Sequence, residues 1–118
     1  MEDAAVRRGD VWWIDWSPGR GSEQLGERPA VVIQNDLGNR YSRTTILAAV
    51  TTKSREYPFV VAISRSAAGL PEESFVNLSQ ILTIDKSRLI RRAGSLEKEG
   101  MTKIDEAIKI SLRLTLFE

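Results

Sequence analysis

A chain of 118 residues, 42% apolar and 28% charged, suits one domain with a real core, and 1–118 reads as that single domain. It contains no cysteine and no histidine, which excludes disulfides, thiol nucleophiles, thiolate or imidazole metal sites, Ser-His-Asp triads and paired-histidine ribonuclease chemistry within the chain. Seventeen basic against sixteen acidic residues leave a net charge of +1, so bulk charge does not mark a nucleic-acid binder.

In chain order, the start (Met1, Glu2, Asp3) lacks the apolar core of a signal peptide, and no run approaches the roughly 18 apolar residues of a membrane span. A cytoplasmic protein without membrane association is expected. Residues 11–16, with Trp12, Trp13 and Trp16, are rich in strand formers and are stopped by Pro18, Gly19 and Gly21. Pro29 then opens an apolar, β-branched strand over 30–34, at the position where a strand tolerates proline. Asn35, Asp36, Gly38 and Asn39 predict a turn. Further strands are expected over 44–52, 59–63 and 74–78, with a turn at 67–71. The last third changes period. Leu96, Met101, Ile104, Ile108 and Leu112 recur at mostly three- or four-residue spacing, the mark of one helical face, with Ser95 or Glu97 as its cap. Short strands with turn signals between them suggest a compact, mostly antiparallel barrel with a C-terminal helix, an α+β protein.

Charge is uneven along the chain. Residues 40–65 carry five basic side chains and one acidic, Glu56, and residues 86–92 carry four basic and none acidic. Phosphate binding needs local positive potential, which these stretches can supply, although on charge alone solvated surface is the favoured explanation. Chemistry is narrowed by what is missing. There is no glycine-rich phosphate loop, and the scattered carboxylates form no evident magnesium site. Arginine, hydroxyls, amides and isolated acids remain. That inventory suits RNA cleavage, because RNA supplies its own nucleophile in the 2′-hydroxyl. The enzyme then has only to orient that oxygen, stabilise the charge of the pentacoordinate phosphorus and manage two protons, leaving a 2′,3′-cyclic phosphate. A guanidinium fits phosphate oxygens bidentately, and a hydroxyl can donate one further bond. No cofactor or metal is required.

Arg8-Gly9-Asp10-Val11, then Gly21-Ser22-Glu23-Gln24 leading into Glu27-Arg28-Pro29 and Gln34-Asn35-Asp36, closely resembles the signature of the MazF/PemK toxins. The resemblance continues through Gly38-Asn39-Arg40, the strand end Ala48-Ala49-Val50-Thr51, and Gln80-Ile81-Leu82-Thr83-Ile84-Asp85. It covers nearly the whole chain in the family's order. It implies an SH3-like, CcdB/PemK-like barrel that forms a homodimer and cleaves single-stranded RNA at short sequences. The setting it implies is a toxin–antitoxin pair, with a MazE-like antitoxin whose acidic tail covers the RNA groove. The family's catalytic arginine falls on Arg28, its catalytic threonine on Thr51, and an assisting acid on Glu23. Ser79 and Leu82 depart from the common Glu-Gln-Ile-Arg pattern.

The other candidates are weighed from chemistry. Gly21, Ser22 and Gln24 lie in a loop suited to covering RNA. Asn35 and Gln80 carry amides that can read base edges or equally satisfy backbone groups at a turn. Trp12, Trp13 and Trp16 could stack bases of a single strand. Alternation, however, puts Trp12 and Trp16 on one strand face and Trp13 on the other, so one face is expected in the core, which favours packing over direct stacking. Two rival functions share the fold: a gyrase-binding toxin of the CcdB type, and an inactive barrel used as a protein-binding module.

Overall fold

The computed structural model describes residues 5–16, 26–53 and 56–115. Six strands are present: β1 (Asp10–Asp15), β2 (Glu27–Val32), β3 (Thr44–Thr51), β4 (Val60–Ile63), β5 (Ser74–Asp85) and β6 (Leu89–Ser95). Among the described residues three α-helices accompany them, α1 (Asp36–Tyr41), α2 (Arg65–Ala68) and, after the last strand, α3 (Lys98–Ser111), with a short 3-10 turn at Lys86–Arg88. The strands form one antiparallel sheet in the order β4-β5-β3-β2-β1-β6.

Strand alternation sorts the core onto two faces. Val11, Val31, Ala48, Val50, Val76 and Leu78 face one way, and α3 covers them with Ile104 and Ala107. Trp12, Ile14, Ala30, Val32, Leu47 and Ile84 face the other way, joined by Val6. The helical period read from the sequence therefore marks the right segment, with Ile104 at its centre. Leu112 departs from it: the residue is the helix C-cap and is 54% exposed, because the chain leaves the helix before that position can turn inward. At the N-terminus Glu97 is the cap by position, without a side-chain hydrogen bond.

The barrel is curled rather than closed. Among the described residues β4 and β6, at the two ends of the order, share no ladder. Instead α2, which directly follows β4, lies against β6 with backbone touching backbone. A methyl group on Gly94 would come within 2.8 Å of the Ala68 carbonyl carbon, and one on Gly69 would overlap the Ala93 carbonyl oxygen. Gly69 also ends α2 in the left-handed conformation, at φ 69°.

Three elements differ from expectation. The Asn35–Asn39 region is a helix, α1, instead of a simple turn, because Asn35 caps it: its Oδ1 accepts the Gly38 N–H at 2.8 Å. β5 runs to Asp85, well beyond the predicted end at residue 78. β6 was hidden by Arg91, Arg92 and Gly94, polar and small residues that suit an edge strand and break any apolar run.

The signature residues around α1 are a scaffold. The Gln34 amide donates to Asn39 Oδ1 (2.9 Å) and to the Thr44 carbonyl (3.0 Å), and the Thr45 hydroxyl donates to the same Asn39 oxygen (2.7 Å). Arg8 joins this end of β2 to α3, donating to the Ile33 carbonyl and to Asp105, each at 2.7 Å. Buried Asp10 accepts the Arg7 N–H at 3.0 Å.

Candidate active site

A proline shapes the site. Val32 gives its carbonyl to the Gly9 N–H on the β1 side, whereas the Ile33 N–H donates to Ile46 beside β3. Backbone groups alternate in direction along a strand, so Pro29, four residues before Ile33, faces β3. Having no N–H, it has nothing to donate there. The β2–β3 register accordingly begins one residue later, at Ala30↔Ala49. Proline here lies inside β2 rather than opening it, and it ends the pairing with one neighbour only: Pro29 still stands opposite Trp13 of β1.

The same register, continued two steps past Ala30↔Ala49, sets Arg28 across from Thr51. Both share the parity of Ala30 and Leu47, so both belong to the sheet face of Trp12 and Ile14. A cleft of about 340 Å³ opens there, walled by Trp16, Arg28, Pro29, Ala49, Val50, Thr51 and Gln80. A second, of about 520 Å³, shares Arg28, Pro29, Val50 and Thr51 with the first and extends to Trp13, Glu27, Thr52, Lys53, Leu70 and Glu72. Arg28 and Thr51 thus stand on the ridge where two clefts meet. The Thr51 oxygen accepts the Lys53 N–H at 3.1 Å, which leaves its hydroxyl hydrogen to be donated elsewhere.

Gln80 reaches this cleft through a bulge. Ala49 pairs with Asn77 but Ala48 pairs with Ile81, so Leu78, Ser79 and Gln80 have no partners on β3. Three extra residues reverse the alternation: Val76 and Leu78 face α3, whereas Leu82 and Ile84 face the other cluster, and Gln80 with them. Asn77 Oδ1 braces the bulge by accepting both the N–H (2.9 Å) and the hydroxyl (2.7 Å) of Ser79. Leu82 packs, partly buried, against the Trp12 cluster. The two departures from the family pattern thus have local structural work.

Asn35 lies elsewhere. It caps α1 at the far end of β2 and lines neither cleft. Glu23, Gly21, Ser22 and Gln24 lie outside the described residues. A larger cavity of about 610 Å³, beside α1 and lined by Arg7, Asp36, Asn39, Arg40 and Lys86 among others, contains none of the predicted site residues.

The basic stretches separate on inspection. Of the 86–92 run, Lys86 donates to the Asn39 carbonyl, Arg91 pairs with Glu27 at 2.8 Å, and Arg92 approaches Asp10 at 3.5 Å. That run serves mainly to fasten β6 and the turn before it. From the other stretch Lys53 borders the wider cleft. Two carboxyl groups are held below the usual carboxylate range, and both stand away from the clefts. Asp36 is shifted chiefly by the Arg8 backbone N–H, against partial desolvation, and Asp85 chiefly by the Ser87 backbone N–H. Trp16, one of the three tryptophans weighed from the sequence as possible base-stacking rings, lines the narrower cleft, whereas sequence reasoning did not single out Pro29 or Lys53 as cleft residues. The signal for Pro29 was its missing donor, readable only once the neighbour on that side was known.

Comparison with known proteins identifies the family. Residues 7–112 match the model of the PemK-like, MazF-like toxins of type II toxin–antitoxin systems. The chain is 48% identical over 114 residues to the endoribonuclease EndoA of Bacillus subtilis (strain 168), covering 95% of this chain and 98% of that protein. It is 44% identical over 115 residues to the endoribonuclease MazF of Staphylococcus epidermidis, covering 96% of each. Among solved structures, an endoribonuclease in complex with its cognate antitoxin from a mycobacterial species superposes with a TM-score of 0.81 at 27% identity, over 96% of this chain and 100% of that one. MazF from Deinococcus radiodurans shares the fold, with a TM-score of 0.75 at 23% identity, over 94% of this chain and 99% of that one. With a family match over most of its length, relatives close to half identical and a barrel of the same shape, this chain belongs to the PemK-like, MazF-like toxins of type II toxin–antitoxin systems.

Proposed function

We propose that this chain is a sequence-specific endoribonuclease that cleaves single-stranded RNA by attack of the 2′-hydroxyl, leaving a 2′,3′-cyclic phosphate and a 5′-hydroxyl. The observation that carries the mechanism is the placement of Arg28 and Thr51 on one sheet face at the junction of two clefts. A phosphate seated on that ridge has cleft on both sides for its flanking nucleotides.

In this reading the Arg28 guanidinium binds the non-bridging oxygens, whose negative charge grows as the 2′-oxygen attacks phosphorus. A guanidinium is a strong bidentate donor and a poor proton shuttle, so charge stabilisation is its natural role. The Thr51 hydroxyl donates a second bond to the same phosphate. Glu23, on which the resemblance places an assisting acid, is in this reading the base that takes the 2′-proton. The bond from phosphorus to the 5′-oxygen breaks as that oxygen takes a proton from solvent, so that the proton lost by the 2′-oxygen is balanced by the one gained at the 5′-oxygen. The nucleophile belongs to the substrate, so the reaction has no need of a metal-activated water.

Two relatives close to half identical bear the name endoribonuclease, and the mycobacterial structure is a complex with an antitoxin. A MazE-like antitoxin is accordingly the proposed restraining partner. A cytoplasmic homodimer is the proposed working form, and no helix among the described residues is long and apolar enough to cross a membrane. Incubation of the purified protein with a long single-stranded RNA in EDTA tests the activity. Cleavage with cyclic-phosphate ends is expected. Intact RNA with gyrase inhibition would point to a CcdB-type toxin, and neither activity to a binding module.

A further inference from the structure

We infer that Trp16 is the stacking platform for a base flanking the scissile phosphate, an inference that rests on the endoribonuclease reading above. Three tryptophans lie on or beside β1, and the structure separates their roles. Trp12 is 6% exposed, packed among Ile14, Ala30 and Leu47, and its indole N–H points to Asp10 at 3.4 Å. Trp13 is already covered: the Arg91 guanidinium lies over its ring, 5.2 Å from the centroid, and is held there by Glu27. Trp16 is only partly buried, and it is the aromatic residue in the wall of the narrower cleft, which Thr51 and Gln80 also line.

The placement of this ring is not explained by packing alone. Its indole N–H is shielded from water and, among the described residues, has no acceptor. A buried donor without a partner is costly, and phenylalanine would fill the space without that cost. What indole adds is a wider π-face. Single-stranded nucleic acid is bound in this way, by aromatic faces on which unstacked bases rest beside cationic groups that hold the backbone. With the phosphate on Arg28, a neighbouring base entering the narrow cleft meets the Trp16 ring on its face and the Gln80 amide at its edge.

The test uses the full chain and an RNA oligonucleotide spanning its mapped cut, made 2′-deoxy at the cleaved position so that it binds without reacting. Trp16→Leu is expected to weaken binding, and to raise KM, on the order of tenfold, with kcat within about threefold. Trp16→Phe should restore most of the affinity. Binding should also quench tryptophan emission in the wild-type protein and in Trp13→Phe, but not in Trp16→Phe; this reading stands even if the leucine variant does not fold. Wild-type affinity in Trp16→Leu, equal losses of kcat in both Trp16 variants, or quenching that survives in Trp16→Phe would overturn the inference while leaving the nuclease intact. A wild-type protein that neither binds nor cuts RNA would overturn both.

Discussion

Arg28 and Thr51 both line the two clefts that lie just beyond the last β2–β3 pair, Ala30↔Ala49, and a proline one residue from Arg28 is the reason the pairing stops there. Were the ladder to continue, these two side chains would be ordinary neighbours on a sheet surface. Because it ends, the space between the strands becomes the ridge between two clefts. The catalytic proposal therefore depends on geometry as much as on residue type. Arg28→Lys keeps the charge and loses the two-pronged donor, so kcat is expected to fall roughly 100-fold or more. Single-turnover cleavage of the oligonucleotide measures it, and near-normal turnover would eliminate the bidentate role.

Thr51 and its neighbour Thr52 offer an internal comparison. Alternation sends them to opposite faces, and Thr52 borders only the wider cleft. Thr51→Val preserves shape and removes the hydroxyl, and is expected to lower kcat by about 10- to 100-fold without moving Tm by more than a degree or two. Thr52→Val should stay within about threefold of wild type. A similar loss in both variants would show that the strand end matters as a whole and that the hydroxyl does not.

The Gln80 amide makes a different prediction, about selectivity. Its cleft position depends on the three-residue bulge, with Asn77 bracing Ser79. Gln80→Ala should shift the preferred cut sequence at one base position, reducing discrimination there by about fivefold or more, while total cleavage at the best site changes little. Mapping all ends on one long transcript decides this: a uniform slowing with an unchanged sequence preference would remove Gln80 from base reading.

What the sequence made legible, and what it did not, follows from which interactions are local. The strands over residues 11–16, 30–34 and 44–52 were visible because each buries apolar residues and is bounded by glycine, proline or asparagine. The C-terminal helix was visible in its period. β6 was not, since an edge strand needs no apolar run. The helix at Asp36–Tyr41 was masked by turn-forming residues whose capping and amide network span ten positions. At the site, Arg28 and Thr51 came from family resemblance, and no local pattern could have joined residues 23 positions apart in the chain. Asn35 shows the converse: an amide that looks equipped to read bases is committed to Gly38.

Closure of the barrel by α2 yields a stability prediction. Gly94 lies directly under the Ala67–Ala68 backbone, and the colliding groups there are main chain that cannot turn aside. Gly94→Ala should therefore destabilise the fold by about 1–3 kcal/mol, lowering Tm by roughly 4 °C per kcal/mol for a domain of this size. Gly100→Ala is the control. Its added methyl meets only the Leu96 Cβ at an ordinary 3.8 Å, within α3, where alanine favours the helix. Thermal unfolding that leaves Gly94→Ala unchanged would show that α2 and β6 are not in firm contact.

The last prediction concerns acid. Asp36 accepts the Arg8 N–H at 2.7 Å and an Asn39 amide hydrogen at 3.1 Å, tying the segment before β1 to α1. These bonds favour the charged carboxylate and hold its pKa below the ordinary aspartate range. A group whose folded pKa is depressed contributes its stability above the unfolded value and loses it as pH falls through the folded one. Asp36→Asn should therefore unfold a few degrees below wild type at pH 7, and the gap should narrow below about pH 4 and vanish once wild-type Asp36 is protonated. The effect is modest because the residue is exposed and its ionic part is screened. Parallel melts from pH 7 to pH 2 test the sign: a gap that stays constant with pH would mean that Asp36 acts as a neutral hydrogen-bond acceptor and that its charge contributes nothing to the tie between Arg8 and α1.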